Sequence, residues 1–209
     1  MDQKKVDRRI TKTRKVIRDA FTQLMEEKGF EAITVSDLTE KADINRGTFY
    51  LHYKDKYDLL EQSEEEVFEK LDRIAEEAWT EINSEELNKK QIHIPLPFTV
   101  KLFEYLEENS AFMRVILGPN GDPSFQAKLK EVIKNKMFQK FYQFNNKDNM
   151  IVPLDYLTAY VSSAHLGVIQ YWLKSGMDKS PEEMATILSQ TTFWGPAKVA
   201  GLTFNDINE

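Results

Sequence analysis

The sequence predicts an all-α protein, an N-terminal three-helix helix-turn-helix domain followed by a helical C-terminal domain. Three observations carry that expectation. Apolar residues recur at helical spacing along most of the chain, and no segment alternates convincingly as a strand would. Two helix-start signatures, at Thr34 and Asn45, stand so close that only Asp43, Ile44 and Asn45 separate Ala42 from Arg46. Helix-stopping residues fill the breaks, among them Gly29, Pro95 and the Gly-Pro-Asn-Gly-Asp-Pro run at 118–123.

The first helix is expected over about Thr11–Lys28, where Ile17, Ala20, Phe21 and Leu24 share a face and Gly29 follows as a stop. Thr34–Ala42 opens with a capping box: Thr34 caps, Asp37 reaches back, and Ile33 can pack on Leu38. Asn45–Tyr53 repeats the device, with Asn45 as cap and Ile44 able to reach Phe49. Asp55 and Asp58 start a long helix through Leu59, Leu60, Val67, Leu71, Ile74 and Ala78 to about Ile82. Residues 83–95 are polar, end in Pro95 and read as a linker. Helices follow at about Pro97–Glu108, Ala111–Leu117, Ser124–Phe144, Pro153–Ser175 and Ser180–Phe193, the last opened by a cap, a first-position Pro181 and a capping-box Glu183. A division into residues 1–56 and 57–209 is expected.

Charge separates the same two parts. The chain carries −6 overall, but residues 1–56 hold 13 Lys and Arg against 10 Asp and Glu, and the remainder 15 against 24. A basic end on an acidic body suits a protein that presents one face to phosphates. There is no cysteine, so disulfides and thiolate metal sites are excluded. The charged start lacks a signal-peptide core, and a cytoplasmic location is expected. Tyr156–Leu173 contains no Asp, Glu, Lys or Arg, yet Thr158, Ser162, Ser163, His165 and Gln170 make it a poor membrane span.

The second short helix has side chains suited to the major groove of DNA, whose bases face the first turns of an inserted helix. Arg46 can donate a bidentate pair to guanine, Thr48 offers a hydroxyl and a methyl, and Gly47 removes a side chain where backbone must approach. Tyr50 and His52 can reach phosphate or sugar. Lys56 stands in the first turn of the next helix, where free N–H groups also favour phosphate. Thr34 and Asn45 are caps first and can bind phosphate as well. Phe49 and Tyr53 belong on the inner face with Leu38. Arg8, Arg9 and Lys12 read either as a DNA-contacting arm or as a soluble basic tail.

These residues carry a resemblance. Ile33 to Leu60 is similar to the N-terminal domain of the TetR family of bacterial transcriptional regulators, whose second short helix reads roughly R-G-T-[FL]-Y-x-[HY]-F-x-[ND]-K; here Arg46 to Lys56 reads R-G-T-F-Y-L-H-Y-K-D-K. Asp43 replaces the usual turn glycine, and Asp tolerates left-handed backbone better than most residues. Thr39 replaces a usual alanine and can be accommodated if it is partly exposed. The later segments 103–125, 162–176 and 180–188 resemble a C-terminal domain of TetR-like regulators from Gram-positive bacteria. That resemblance implies dimerisation through the last two long helices and often a bound small molecule.

The helix from Pro153 has two apolar stripes. Leu157, Val161, Ala164, Val168 and Trp172 line one side, and Ala159, Ser162, Leu166, Ile169 and Leu173 the other. Two stripes imply burial on both sides. The second stripe, with Met184, Ile187, Leu188 and Thr191 of the last helix, is therefore expected at a two-fold dimer interface, and such a dimer reads a palindromic operator. The alternative is that a single chain buries both. An effector pocket is expected from Phe103, Phe112, Met113, Met137, Phe141, His165 and Trp172, a set that would equally serve to fill a helical core.

The function expected is a homodimeric, sequence-specific regulator, by default a repressor, released by a small molecule. The alternative is a TetR-like coactivator or protein-binding module without its own operator. No P-loop, G-x-S-x-G, H-E-x-x-H or dinucleotide glycine motif occurs, and His52, His93 and His165 form no local metal motif. No enzyme activity, cofactor, metal or membrane partner is expected.

Overall fold

A computed structural model describes residues 3–81, 95–119, 121–143 and 150–202. Every regular element among them is an α-helix: α1 Gln3–Lys28, α2 Val35–Lys41, α3 Arg46–Tyr50, α4 Lys56–Glu81, α5 Pro97–Glu108, α6 Ser110–Ile116, α7 Pro123–Gln143, α8 Leu154–Lys174 and α9 Pro181–Val199. None is long and apolar enough to cross a membrane. Ile82 and nearly all of the expected 83–95 linker lie outside the described residues.

The helix ends follow the local chemistry. α1 stops where Gly29 turns to φ 74° and its N–H donates to the Met25 carbonyl at 3.0 Å. The Thr34 capping box forms in full. α4 is capped by Asp55, whose Oδ1 accepts from Tyr57 N and Asp58 N, while Asp58 Oδ2 accepts from Lys54 N. At α9 the Ser180 and Glu183 box forms behind Pro181, but the helix runs past Phe193 to a kink at Gly195, φ 76°, before Pro196. At the other end of the chain, α1 reaches back well before Thr11.

Backbone contacts divide the chain into two compact units. The first comprises Met1–Glu69 and Ala111–Phe125. Here α1 buries Ile17, Ala20, Phe21, Leu24 and Met25, the spacing of one helical face, in a core shared with Ile33, Leu38, Phe49, Tyr53 and Leu59. Phe68 and Phe125 pair with ring centroids 5.0 Å apart. α2 and α3 are too short to persist alone. Leu38 and Phe49 are both fully buried, and burying such a side chain is worth about 1.5–3 kcal/mol, which ties each short helix to the core.

The second unit comprises Lys70–Ser110 and Gln126–Glu209. α9 packs on α5 and α8. Leu102, Phe103 and Leu106 of α5, Leu166, Ile169, Trp172 and Leu173 of α8, and Met184, Ala185 and Leu188 of α9 form its core. Phe103 meets Trp172 edge to face at 5.2 Å, and the indole N–H donates to the Lys179 carbonyl at 2.9 Å.

Candidate nucleic-acid interface

The turn between α2 and α3 depends on one residue, Asp43, held in the left-handed region at φ 51°. The Ile44 N–H then returns to the Thr39 carbonyl at 3.0 Å, which closes the turn. Asp performs the role expected of it here. Thr39 is accommodated by another route, at 6% exposure. Burial is tolerated because its hydroxyl donates to the Ser36 carbonyl at 3.1 Å, leaving only its methyl to pack.

α3 starts at Asn45, whose Oδ1 accepts from Thr48 N at 2.7 Å and from the Thr48 hydroxyl at 3.0 Å. The Thr48 hydroxyl proton is therefore engaged, and only its lone pairs and methyl remain for a ligand. A methyl placed on Gly47 would meet only Asn45 Oδ1, at 3.3 Å. Arg46, Gly47 and Tyr50 are exposed and Thr48 and His52 half-buried, so all five remain accessible. Phe49 and Tyr53 point the other way, at 0% and 4% exposure. Leu51, to which the sequence reading assigned nothing, is 82% exposed.

Electrostatics stiffen this unit. The Lys28 ammonium 2.7 Å from Asp37, with the Thr34 hydroxyl and N–H, holds the Asp37 carboxyl down to about 2. Glu66 of α4 bridges two arginines of α1, Arg14 at 2.8 Å and Arg18 at 2.9 Å. The Arg14 guanidinium also lies 5.5 Å from the centre of the Tyr53 ring. Burial, then the nearby Arg14 charge, pushes the His52 pKa down, so at neutral pH it is a neutral hydrogen-bonding group.

Lys56 departs from expectation. Its ammonium donates to the carbonyls of Phe30 at 3.1 Å and Glu31 at 2.9 Å, and sits 4.7 Å from the centre of the Phe30 ring. With its side chain 14% exposed, it bolts the α1–α2 loop to the start of α4 instead of offering its charge to phosphate. Arg8, Arg9 and Lys12 are exposed on α1, within the helix and not in an extended arm.

The expected dimer stripe needs a similar correction. Leu166, Ile169, Leu173, Met184 and Leu188 are between 2% and 5% exposed within the single chain, and Ser162 is 4% exposed. Side chains already buried have no surface to give a partner. Ala159 and Ile187 are exposed and Thr191 half-buried. The accessible side of α8 carries Tyr156, Tyr160, Ser163, Gly167 and Tyr171, and that of α9 carries Ile187 and Trp194.

The expected pocket residues are divided between the two units. Phe103, His165 and Trp172 lie in the second unit, at 0%, 4% and 1% exposure, while Phe112 and Met113 belong to the first. The side chains of Met137 and Phe141 lie outside the described residues. His165 Nε2 stands 2.8 Å from the Thr192 hydroxyl, which itself donates to the Leu188 carbonyl at 2.7 Å. The hydroxyl has one proton, so His165 Nε2 donates and its Nδ1 is bare. A cleft of ≈790 Å³ within the first unit, lined by Met25, Phe30, Tyr57, Leu60 and Asp122 among others, shares no residue with the expected set.

An all-helical fold with a capped, left-handed turn that exposes one face of its second short helix defines a helix-turn-helix protein. Residues 17–62 match the family described as bacterial regulatory proteins, tetR family, and residues 95–193 match a transcriptional regulator C-terminal region. The uncharacterized HTH-type transcriptional regulator YxbF of Bacillus subtilis (strain 168) is 25% identical over 186 residues, covering 85% of this chain and 45% of that protein. The chain thus spans less than half the length of that curated relative. Among solved structures, a TetR transcriptional regulator from Streptococcus agalactiae 2603V shares the fold at TM-score 0.59 and 22% identity, covering 89% of this chain and 96% of that one. FadR from Bacillus subtilis, in complex with stearoyl-CoA, does so at TM-score 0.59 and 14% identity, covering 86% and 97%. The chain belongs to the TetR family.

Proposed function

We propose that this chain is a cytoplasmic, non-enzymatic transcriptional repressor that binds a palindromic operator as a homodimer and is released by a small-molecule effector. Residues 1–56 read DNA, and residues 57–209 dimerise and bind the effector. The observation that carries the reading is the surface of α3, where Arg46, Gly47, Thr48 and Tyr50 stand accessible over the buried Phe49. Arg46 donates to guanine, Thr48 accepts or presents its methyl, Gly47 allows close approach, and Tyr50, His52, Asn45 and Thr34 face the backbone. Arg46→Ala and Thr48→Ala should each weaken specific binding by about 1–3 kcal/mol, measured by gel shift on a duplex selected by the wild type. Binding by both variants at wild-type strength would refute these base contacts.

The dimer is built from the accessible sides of α8 and α9. Tyr160, Ser163, Gly167 and Tyr171 on one helix, and Ile187, Thr191 and Trp194 on the other, combine aromatic area with small residues that let helices approach. Among the described residues, and apart from the backbone of α8 itself, no atom lies within 4 Å of a methyl built on Gly167, which leaves that position open to a partner. A monomer by light scattering at micromolar concentration, with DNA binding intact, would refute the two-fold reading. Thermal melts against apolar and amphipathic compounds test the effector. Acyl-CoA is a sensible first member of the panel, because the FadR structure holds stearoyl-CoA.

A further inference from the structure

We propose that Leu51 is a specificity-determining residue that packs on the C5 methyl of a thymine in the operator. The inference rests on the DNA-binding reading above and adds a base contact to it. A single exposed leucine is ordinary; the position of this one is not. The Leu51 N–H donates to the Gly47 carbonyl at 3.2 Å, so Leu51 stands one turn beyond Gly47 on the same face. At roughly 100° per residue, both lie nearly opposite the fully buried Phe49. The line pointing straight out of the helix-turn-helix therefore passes through a residue without a side chain and then through a leucine that is 82% exposed.

Thr48 and Tyr50 flank that line, and Ile44–His52 contains no carboxylate to oppose an anionic groove. Base edges in the major groove present hydrogen-bonding groups and one apolar feature, the thymine methyl. A leucine side chain donates and accepts nothing, so the thymine methyl is the base feature it can recognise. Gly47 beside it lets the helix come close enough for that contact.

Deoxyuridine removes only the methyl. Duplexes are selected from a random library with the full chain, each thymine of the selected site is replaced in turn by deoxyuridine, and binding is measured by fluorescence anisotropy for wild type and Leu51→Ala. At one or more thymines the replacement should weaken wild-type binding about fourfold, the loss expected for one buried methyl-sized group. The same replacement should leave Leu51→Ala unchanged. Because the side chain is exposed, the variant should melt with the wild type, which circular dichroism checks. A selected site without thymine, wild-type indifference to deoxyuridine at every thymine, or equal sensitivity in the variant would overturn the role of Leu51 while leaving DNA binding intact. Failure to enrich any duplex would overturn the DNA-binding reading and this contact with it.

Discussion

Acidification from about pH 8 to about pH 5 should destabilise the second unit by about 2 kcal/mol through His165 alone. This imidazole is 4% exposed, and burial holds its pKa at about 4, against an ordinary 6.5. Above the ordinary value the ring is neutral whether the chain is folded or not, and stability is insensitive to its titration. Between 6.5 and 4 the unfolded chain takes up a proton that the folded chain refuses, so stability falls with pH. Below 4 both states carry the proton and the loss levels off. At about 1.4 kcal/mol per pKa unit the full loss is about 3 kcal/mol, of which about 2 is reached by pH 5. The proton would enter at Nδ1, since Nε2 already donates to Thr192. Urea unfolding followed by circular dichroism, at both pH values and one protein concentration, measures the loss in wild type and in His165→Gln. The variant keeps an amide donor and has nothing to titrate, so its pH dependence should be shallower by that amount. His52, shifted the same way, contributes equally to both proteins and cancels. The Asp37 carboxyl, held near 2, titrates below the window. Identical pH dependence in the two proteins would refute the buried, neutral imidazole.

Three further changes probe the reading head. Asp43→Gly should raise the unfolding midpoint slightly, by about 0.5 kcal/mol, because relief of left-handed strain outweighs the extra freedom of an unfolded glycine; a lowered midpoint would show that the aspartate side chain does more than tolerate φ 51°. Asn45→Ala removes the acceptor of both Thr48 bonds and should lower stability by about 1 kcal/mol in a chemical melt, together with DNA affinity. Unchanged stability would mean that the cap contributes nothing. Glu66→Gln removes the charge from both arginine pairs between α1 and α4 and leaves one acceptor oxygen for the two guanidiniums. Its partly exposed groups limit the loss to about 1 kcal/mol, and a double-mutant cycle with Arg14→Met should show the two changes to be non-additive.

Most of the helix-turn-helix was legible in the sequence because its determinants are local. A cap speaks to a residue three positions on, a left-handed turn to the identity of one residue, and an apolar face to a repeat of three and four. Asp43, Thr34 and Asn45 therefore take the conformations that the sequence predicts. The α3 surface was legible in part: the family-like Arg46, Gly47 and Thr48 announce themselves, whereas Leu51 looks like any apolar residue until its exposure is known.

What the sequence by itself determined is the succession of helices, their caps, the tight turn and the family. The tertiary structure alone decided where side chains with more than one use are committed. Lys56 has a charge for phosphate and donors for carbonyls, and the nearness of Phe30 and Glu31 settles it inward. α8 carries two apolar stripes of similar merit, and packing within the second unit draws Leu166, Ile169 and Leu173 inside while Tyr160 and Tyr171 stay out. Phe112 and Met113 are buried in a segment that belongs to the first unit, far along the chain from its other members. The physical reason is common to all three. Helix formation is settled by neighbours in sequence, whereas burial is settled by whichever distant element arrives to exclude water.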